Sequence, residues 1–168
     1  RYLEVRFSPV LHLKNELTME EALCAVLAGL QESESDFNIK TGVIVCGIRN
    51  MSPNISTAIA NLAIKFKGRG VVGFDLAGAE ENNPAKKHKQ AFYNIVNANM
   101  NVTVHAGESF GSESIHQALH YCDANRIGHG TRLSENKDLL NYVNDHRIPL
   151  EVCLTSNYQT GTIESLDS

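Results

Sequence analysis

Short apolar runs alternate with longer helical patterns along the whole chain, and no other feature narrows the fold so far. The runs are residues 2–7, 42–48, 71–76, 102–105, 126–129 and 149–153. Most are rich in valine and isoleucine. Several are apolar at nearly every position, as strands covered on both faces are. Helices fit between them. Thr18 and Glu21 form a capping box ahead of Leu23, Val26, Leu27 and Leu30 at helical spacing. A second stripe is Ile55, Ile59, Leu62 and Phe66. Pro84 can open a third helix with Phe92, Ile95 and Val96 inward. Ile115, Ala118, Leu119 and Cys122 make a fourth stripe. Leu139, Leu140 and Val143 make a fifth, with Ser134 as its expected cap.

Strand–helix alternation through six strands and five helices implies a parallel sheet with right-handed crossovers. An open doubly wound sheet and a (β/α)8 barrel both satisfy it. A glycine-rich nucleotide loop after the first strand would favour the open sheet, but Phe7, Ser8 and Pro9 stand there. In both architectures chemistry gathers at the carboxyl ends of the strands.

Composition removes several function classes. The 15 Lys and Arg against 19 Asp and Glu give a net charge of −4, with no electrostatic reason to expect nucleic acid or an anionic membrane as partner. No stretch approaches the roughly 18 consecutive apolar residues of a membrane span. The start, Arg1 to Arg6, breaks the pattern of a signal peptide with its charges. Cys24, Cys46, Cys122 and Cys153 are widely spaced with no C-x-x-C pair. They are expected to be four buried thiols in a reducing, cytoplasmic compartment.

The strand ends carry the candidate chemistry. The fourth strand ends in His105-Ala106-Gly107-Glu108, where small Ala106 and flexible Gly107 let Glu108 curl back toward His105. A metal-binding imidazole beside a proton-shuttling carboxylate suits metal-assisted hydrolysis. The fifth strand sets His129 between Gly128 and Gly130, where a ligand can approach the backbone closely. The third ends in Asp75-Leu76-Ala77-Gly78-Ala79-Glu80, which brings polar groups to the same rim. After the last strand, Thr155-Ser156-Asn157 reads as a turn. In the first strand Glu4, Arg6 and Ser8 share one face, expensive in a plain core but able to form a polar network inside a barrel. His12, His88, His116, His120 and His146 match no motif and read as surface or helix histidines.

In order, Y-x-E-x-R-x-S-P, D-L-A-G-x-E, H-A-G-E, R-I-G-H-G and L-E-V-C-x-x-S-N resemble the adenosine deaminase family from Tyr2 to Asn157. The resemblance implies a zinc-dependent (β/α)8 barrel of the metal-dependent hydrolase type. It implies hydrolysis of adenosine, and of 2′-deoxyadenosine, to inosine or deoxyinosine and ammonia. His105 then corresponds to a zinc-ligating histidine. Glu108 corresponds to the acid that protonates a purine ring nitrogen, and His129 to the histidine that orients the attacking water. Gly78 corresponds to the glycine whose N–H holds another ring nitrogen, and Asp75 to an aspartate near that contact.

The family also uses an H-x-H on the first barrel strand and paired aspartates on the eighth, and neither occurs in this sequence. The six strands are therefore expected to be the second to seventh of the barrel. Residues 1–168 would form one partial catalytic domain, since a complete barrel takes about 250 residues. Ala79 replaces a common aspartate and Leu154 a common proline. R-I-G-H-G favours adenosine over adenine, and no basic phosphate clamp speaks for AMP. A non-catalytic domain retaining the motifs is the alternative from another class. The sequence does not bear on oligomeric state.

Overall fold

Strands of this kind gain most of their stability from packing both faces. In the computed structural model, which describes residues 1–165, all six expected strands form and every pair is parallel. They are β1 (Tyr2–Phe7), β2 (Lys40–Ile48), β3 (Val71–Ala77), β4 (Asn101–Ala106), β5 (Arg126–His129) and β6 (Leu150–Glu151). Between them run α1 (Met19–Phe37), α2 (Pro53–Lys65), α3 (Lys89–Asn97), α4 (Ser112–His120) and α5 (Lys137–Asp145), and α6 (Leu154–Gln159) follows β6.

Strand order decides between the two architectures. The sheet runs β1-β2-β3-β4-β5-β6 without reversal. A doubly wound sheet reverses at a switch point, whereas a barrel adds each strand beside the last. This is an incomplete (β/α)8 barrel.

The helix-facing side carries the apolar core. Val43, Val45, Phe74, Leu76, Val102, Val104 and Ile127 pack there against Leu23, Ile59, Phe92, Ile95, Ile115 and Leu139. Each fully buried side chain of this size contributes about 1.5–3 kcal/mol. Phe74 and Phe92 meet edge to face, with ring centroids 5.3 Å apart.

Local signals act as expected in most places. The Thr18 hydroxyl accepts from the Glu21 N–H, and the Glu21 carboxylate accepts from the Thr18 N–H, so the capping box closes. Differences have physical reasons. α5 is capped by Asn136, whose Oδ1 accepts from the Leu139 N–H at 3.1 Å, because Ser134 is taken up in a 3-10 turn, Thr131–Glu135. Pro84 opens a 3-10 turn, Ala85–His88, before α3 begins. Val96 and Leu140 are partly exposed, at the edges of their helix stripes rather than inward.

β6 pairs over two residues only, and Thr155, Ser156 and Asn157 are helical in α6 rather than a turn. All four cysteines are free, but only Cys46 and Cys122 are buried; Cys24 is exposed and Cys153 half-buried. Burial pushes the Cys122 thiol up to about 12. His88 is not a surface histidine: it is 1% exposed, with Nδ1 2.8 Å from Ser56 Oγ and Nε2 3.0 Å from the Arg49 carbonyl. No helix among the described residues is long and apolar enough to cross a membrane.

Candidate active site

The opposite, concave face of the sheet is polar, as the Glu4–Arg6–Ser8 alternation predicts. Arg6 Nη2 donates to both Glu151 carboxylate oxygens at 2.7 Å, and Arg126 Nε lies 2.7 Å from Glu151 Oε1. Arg126 also pairs with Glu4. Arg6 Nε lies 3.2 Å from Asp75 Oδ2, and His105 Nδ1 lies 2.8 Å from the same oxygen. The chain Glu4–Arg126–Glu151–Arg6–Asp75–His105 therefore ties β1, β3, β4, β5 and β6 across the concave face. The Asp75 contacts are ion-pair approaches whose alignment falls short of ideal hydrogen bonds.

Asp75 is completely buried. Burial alone would raise its carboxyl pKa; His105, Arg6 and the Leu76 N–H outweigh that and hold it below the ordinary carboxylate range. The reciprocal effect acts on His105: burial would lower it, and Asp75 raises it above the usual imidazole value. Ladder pairing between β3 and β4 is confined to Gly73–Asn101 and Phe74–Val102. Beyond that point side chains, Asp75 to His105, bridge the two strands.

The chain turns sharply after β4. Gly107 has φ +71°, and a Cβ there would stand 2.5 Å from Ile115 Cδ1, so only glycine fits. Glu108 then faces α6 and the end of β5. Its Oε1 accepts from Ser156 Oγ at 2.9 Å and lies 3.6 Å from His129 Nδ1. His129 is a non-glycine residue at φ +69°, a conformation that stores about 1–3 kcal/mol and persists only where surroundings enforce it. Its ring is held by Asn157, whose Oδ1 lies 2.8 Å from His129 Nδ1. With that oxygen accepting, Nδ1 carries the proton and Nε2 keeps its lone pair. The His105 and His129 rings sit with centroids 5.3 Å apart, tilted by 53°.

Four of the five sequence candidates, Asp75, His105, Glu108 and His129, thus form one cluster at the carboxyl ends of β3–β5. Gly78 lies on the adjoining rim at φ +100°, exposed; a Cβ there would meet Asn50 Oδ1 at 2.9 Å. Its nearest neighbours are Asn50, Ile48 and Arg49 rather than the His105–Glu108 cluster. Sequence reasoning missed Ser156 and Asn157 as orienting groups, although both stand in the L-E-V-C-x-x-S-N motif. It also missed Arg49, whose only signal is a charge directly after an apolar strand.

As a metal donor, His105 is suitably prepared: a buried carboxylate on Nδ1 fixes the ring and leaves Nε2 for a cation. Among the described residues, no group of three His, Cys, Asp or Glu side chains converges as a full metal site. The residues present fit one ligand position of a zinc ion, not a whole shell.

A sequentially ordered parallel sheet, with a histidine–carboxylate pair and a glutamate–histidine pair at its carboxyl rim, defines an incomplete barrel of the amidohydrolase type. The family model for adenosine deaminase matches residues 1–168. The chain belongs to the adenosine deaminase family.

It is 43% identical over 164 residues to a "Probable adenosine deaminase" of Dictyostelium discoideum, covering 98% of this chain and 21% of that protein. It is 43% identical over 181 residues to an "Adenosine deaminase" of Mycobacteroides abscessus, covering 98% of this chain and 49% of that one. The chain thus spans half or less of these curated relatives. Among solved structures, an adenine deaminase from Arthrobacter aurescens superposes with TM-score 0.90 at 27% identity, over 99% of this chain and 50% of that one. The N6-methyl-AMP deaminase of Arabidopsis thaliana superposes with TM-score 0.86 at 27% identity, again over 99% and 50%. An amidohydrolase from Burkholderia ambifaria with bound Zn shares the fold, at TM-score 0.90 and 21% identity.

Proposed function

We propose that the complete protein carrying this chain is a zinc-dependent deaminase. It would convert adenosine, and 2′-deoxyadenosine, to inosine or deoxyinosine and ammonia, as a step of purine salvage. The observation that carries this reading is the juxtaposition of the Asp75-held His105 with Glu108 and His129 at one strand rim. Adenosine is favoured over adenine and AMP because relatives named adenosine deaminase reach 43% identity, against 27% for the adenine and N6-methyl-AMP deaminase structures. The partner is a small purine nucleoside. The four free thiols support a cytoplasmic setting.

Each side chain has a chemical task in this reading. His105 supplies one zinc ligand through Nε2, and Asp75 fixes its ring. A zinc ion bound there would make hydroxide available near neutral pH. Glu108, with Oε1 engaged by Ser156, offers a proton from Oε2 to a purine ring nitrogen. That proton makes the neighbouring ring carbon electrophilic. His129, oriented by Asn157, accepts the proton of the attacking water at Nε2 and returns it to the departing amine. Oxygen adds to the carbon, the carbon–nitrogen bond breaks, ammonia leaves, and the proton left on the new hydroxyl returns to Glu108 as the carbonyl forms. The N–H of Gly78, an exposed residue, would hold a second ring nitrogen.

The 168-residue chain alone should neither hold stoichiometric tight zinc nor deaminate adenosine, because its described residues supply too few ligands. Metal analysis and adenosine absorbance of the purified chain, beside the complete protein, check this. Tight zinc with turnover in the short chain, or an inactive zinc-loaded complete protein, contradicts the reading.

A further inference from the structure

One buried pair of opposite charge lies immediately behind the residues that carry the chemistry and has no part in it so far. Glu80 is 4% exposed and Arg49 is 2% exposed. Glu80 Oε2 accepts from the Gly107 N–H at 3.0 Å. Its Oε1 accepts from the Glu108 N–H at 2.9 Å and from the Ser109 N–H at 3.4 Å. Arg49 takes the other end of the same segment. Its Nη2 donates to the His105 carbonyl, and Nη1 donates to the Asn83 carbonyl at 3.3 Å. The Arg49 backbone is itself fixed by His88, whose ring is held by Ser56.

A carboxylate and a guanidinium are costly to bury, and simple packing calls for neither. Their hydrogen bonds run to the backbone of residues 105–109 and of Asn83. They do not form a direct ion pair: among the described residues no such pair within 4.0 Å joins them. Both line a cavity of about 310 Å³ behind the turn. Burial pushes the Arg49 guanidinium below its ordinary value, and the nearby Glu80 carboxylate opposes that push.

We propose that Glu80 and Arg49 are positioning residues that grip the His105 carbonyl and the Gly107–Ser109 N–H groups and so set the spacing of His105 and Glu108. This rests on the deaminase reading above. A carboxylate suits the task because two acceptor oxygens serve three successive donors. A glutamine at position 80 keeps one acceptor and turns an N–H toward a backbone N–H. The turn then shifts while the side-chain volume stays the same. The chemistry is sensitive to such a shift: a misplacement of about 1 Å at a reacting group lowers a rate by about 100-fold.

The test uses the complete, zinc-loaded protein and its Glu80→Gln and Arg49→Lys variants. Steady-state adenosine kinetics, zinc content, melting temperature and hydrogen exchange of the residue 107–109 amides are read for each. Glu80→Gln should lower kcat by about 100-fold with KM within about threefold of wild type and zinc retained. The amides of residues 107–109 should exchange roughly 10-fold faster. Arg49→Lys, which keeps the charge but loses the planar two-pronged donor, should lower kcat by about 10-fold. It decides the matter if Glu80→Gln does not fold. A folded Glu80→Gln with wild-type kcat and wild-type amide protection overturns the proposal. If wild type deaminates no purine, the deaminase reading fails separately. The amide protection of residues 107–109 then decides whether the grip exists.

Discussion

Glu108→Gln in the complete protein is expected to lower adenosine turnover by about 100- to 10,000-fold while zinc content and melting temperature stay near wild type. The expectation follows from the hydrogen bonds around the side chain. A glutamine Oε1 can still accept from Ser156 Oγ, so the orientation seen at 2.9 Å survives. The backbone is held independently, through the Glu108 N–H to Glu80 and the Glu108 carbonyl to Thr162. The substitution thus leaves the site assembled and removes only the acidic proton. His129 lies 3.6 Å away and is assigned the water proton at Nε2, so the ring-nitrogen proton has no second source among these groups. Paired measurements of kcat, bound zinc and thermal unfolding check the result. A variant with turnover within about threefold of wild type removes Glu108 as the proton donor.

Asp75→Asn should destabilise the protein strongly. The carboxylate is wholly buried, and one oxygen faces both Arg6 and His105 while the other accepts from the Leu76 N–H at 2.6 Å. An asparagine must turn its NH2 either toward the Arg6 and His105 donors or toward the Leu76 N–H, and either orientation sets donor against donor. Removing one partner of a buried charge cluster costs about 3–5 kcal/mol. Arg6 retains Glu151, which softens the loss on that side, whereas His105 Nδ1 loses its charged acceptor in either orientation. Zinc affinity of the complete protein should therefore fall by about 10- to 100-fold as well. Urea unfolding and competitive chelation measure the two effects. Unchanged stability together with unchanged zinc affinity would mean that Asp75 fixes neither the sheet face nor His105.

Alternation along the chain sufficed for the parallel α/β class, because strands buried on both faces leave continuous apolar runs. Barrel and open sheet stayed equivalent on that evidence, since strand order is a long-range property. The motif resemblance pointed to a barrel, and the β1-to-β6 order establishes it. At the rim, no single glycine-flanked polar residue was decisive; the order of the motifs singled out His105, Glu108 and His129, and the structure brings them together. Ser156 and Asn157 were misread because short polar residues serve turns and helices alike. Only their contacts with Glu108 and His129 separate the two. His88 does stand in a helical stretch, but it is buried rather than on the surface. An unmatched histidine in a helical stretch reads as exposed, and its burial depends on Ser56 and Arg49 from distant parts of the chain. Glu80 belonged to a recognised motif, yet nothing local shows that its carboxylate reaches the residue 107–109 turn.

Every residue role at this rim depends on the proposed zinc-dependent deamination of adenosine. Its most direct test supplies the complete protein, with zinc removed and then restored, with adenosine, adenine and AMP side by side while ammonia release is followed. Ammonia is expected from adenosine at a kcat/KM well above that for adenine or AMP, abolished by chelation and recovered with zinc. No ammonia from adenosine by the zinc-restored protein, or a clear preference for adenine or AMP, would contradict it.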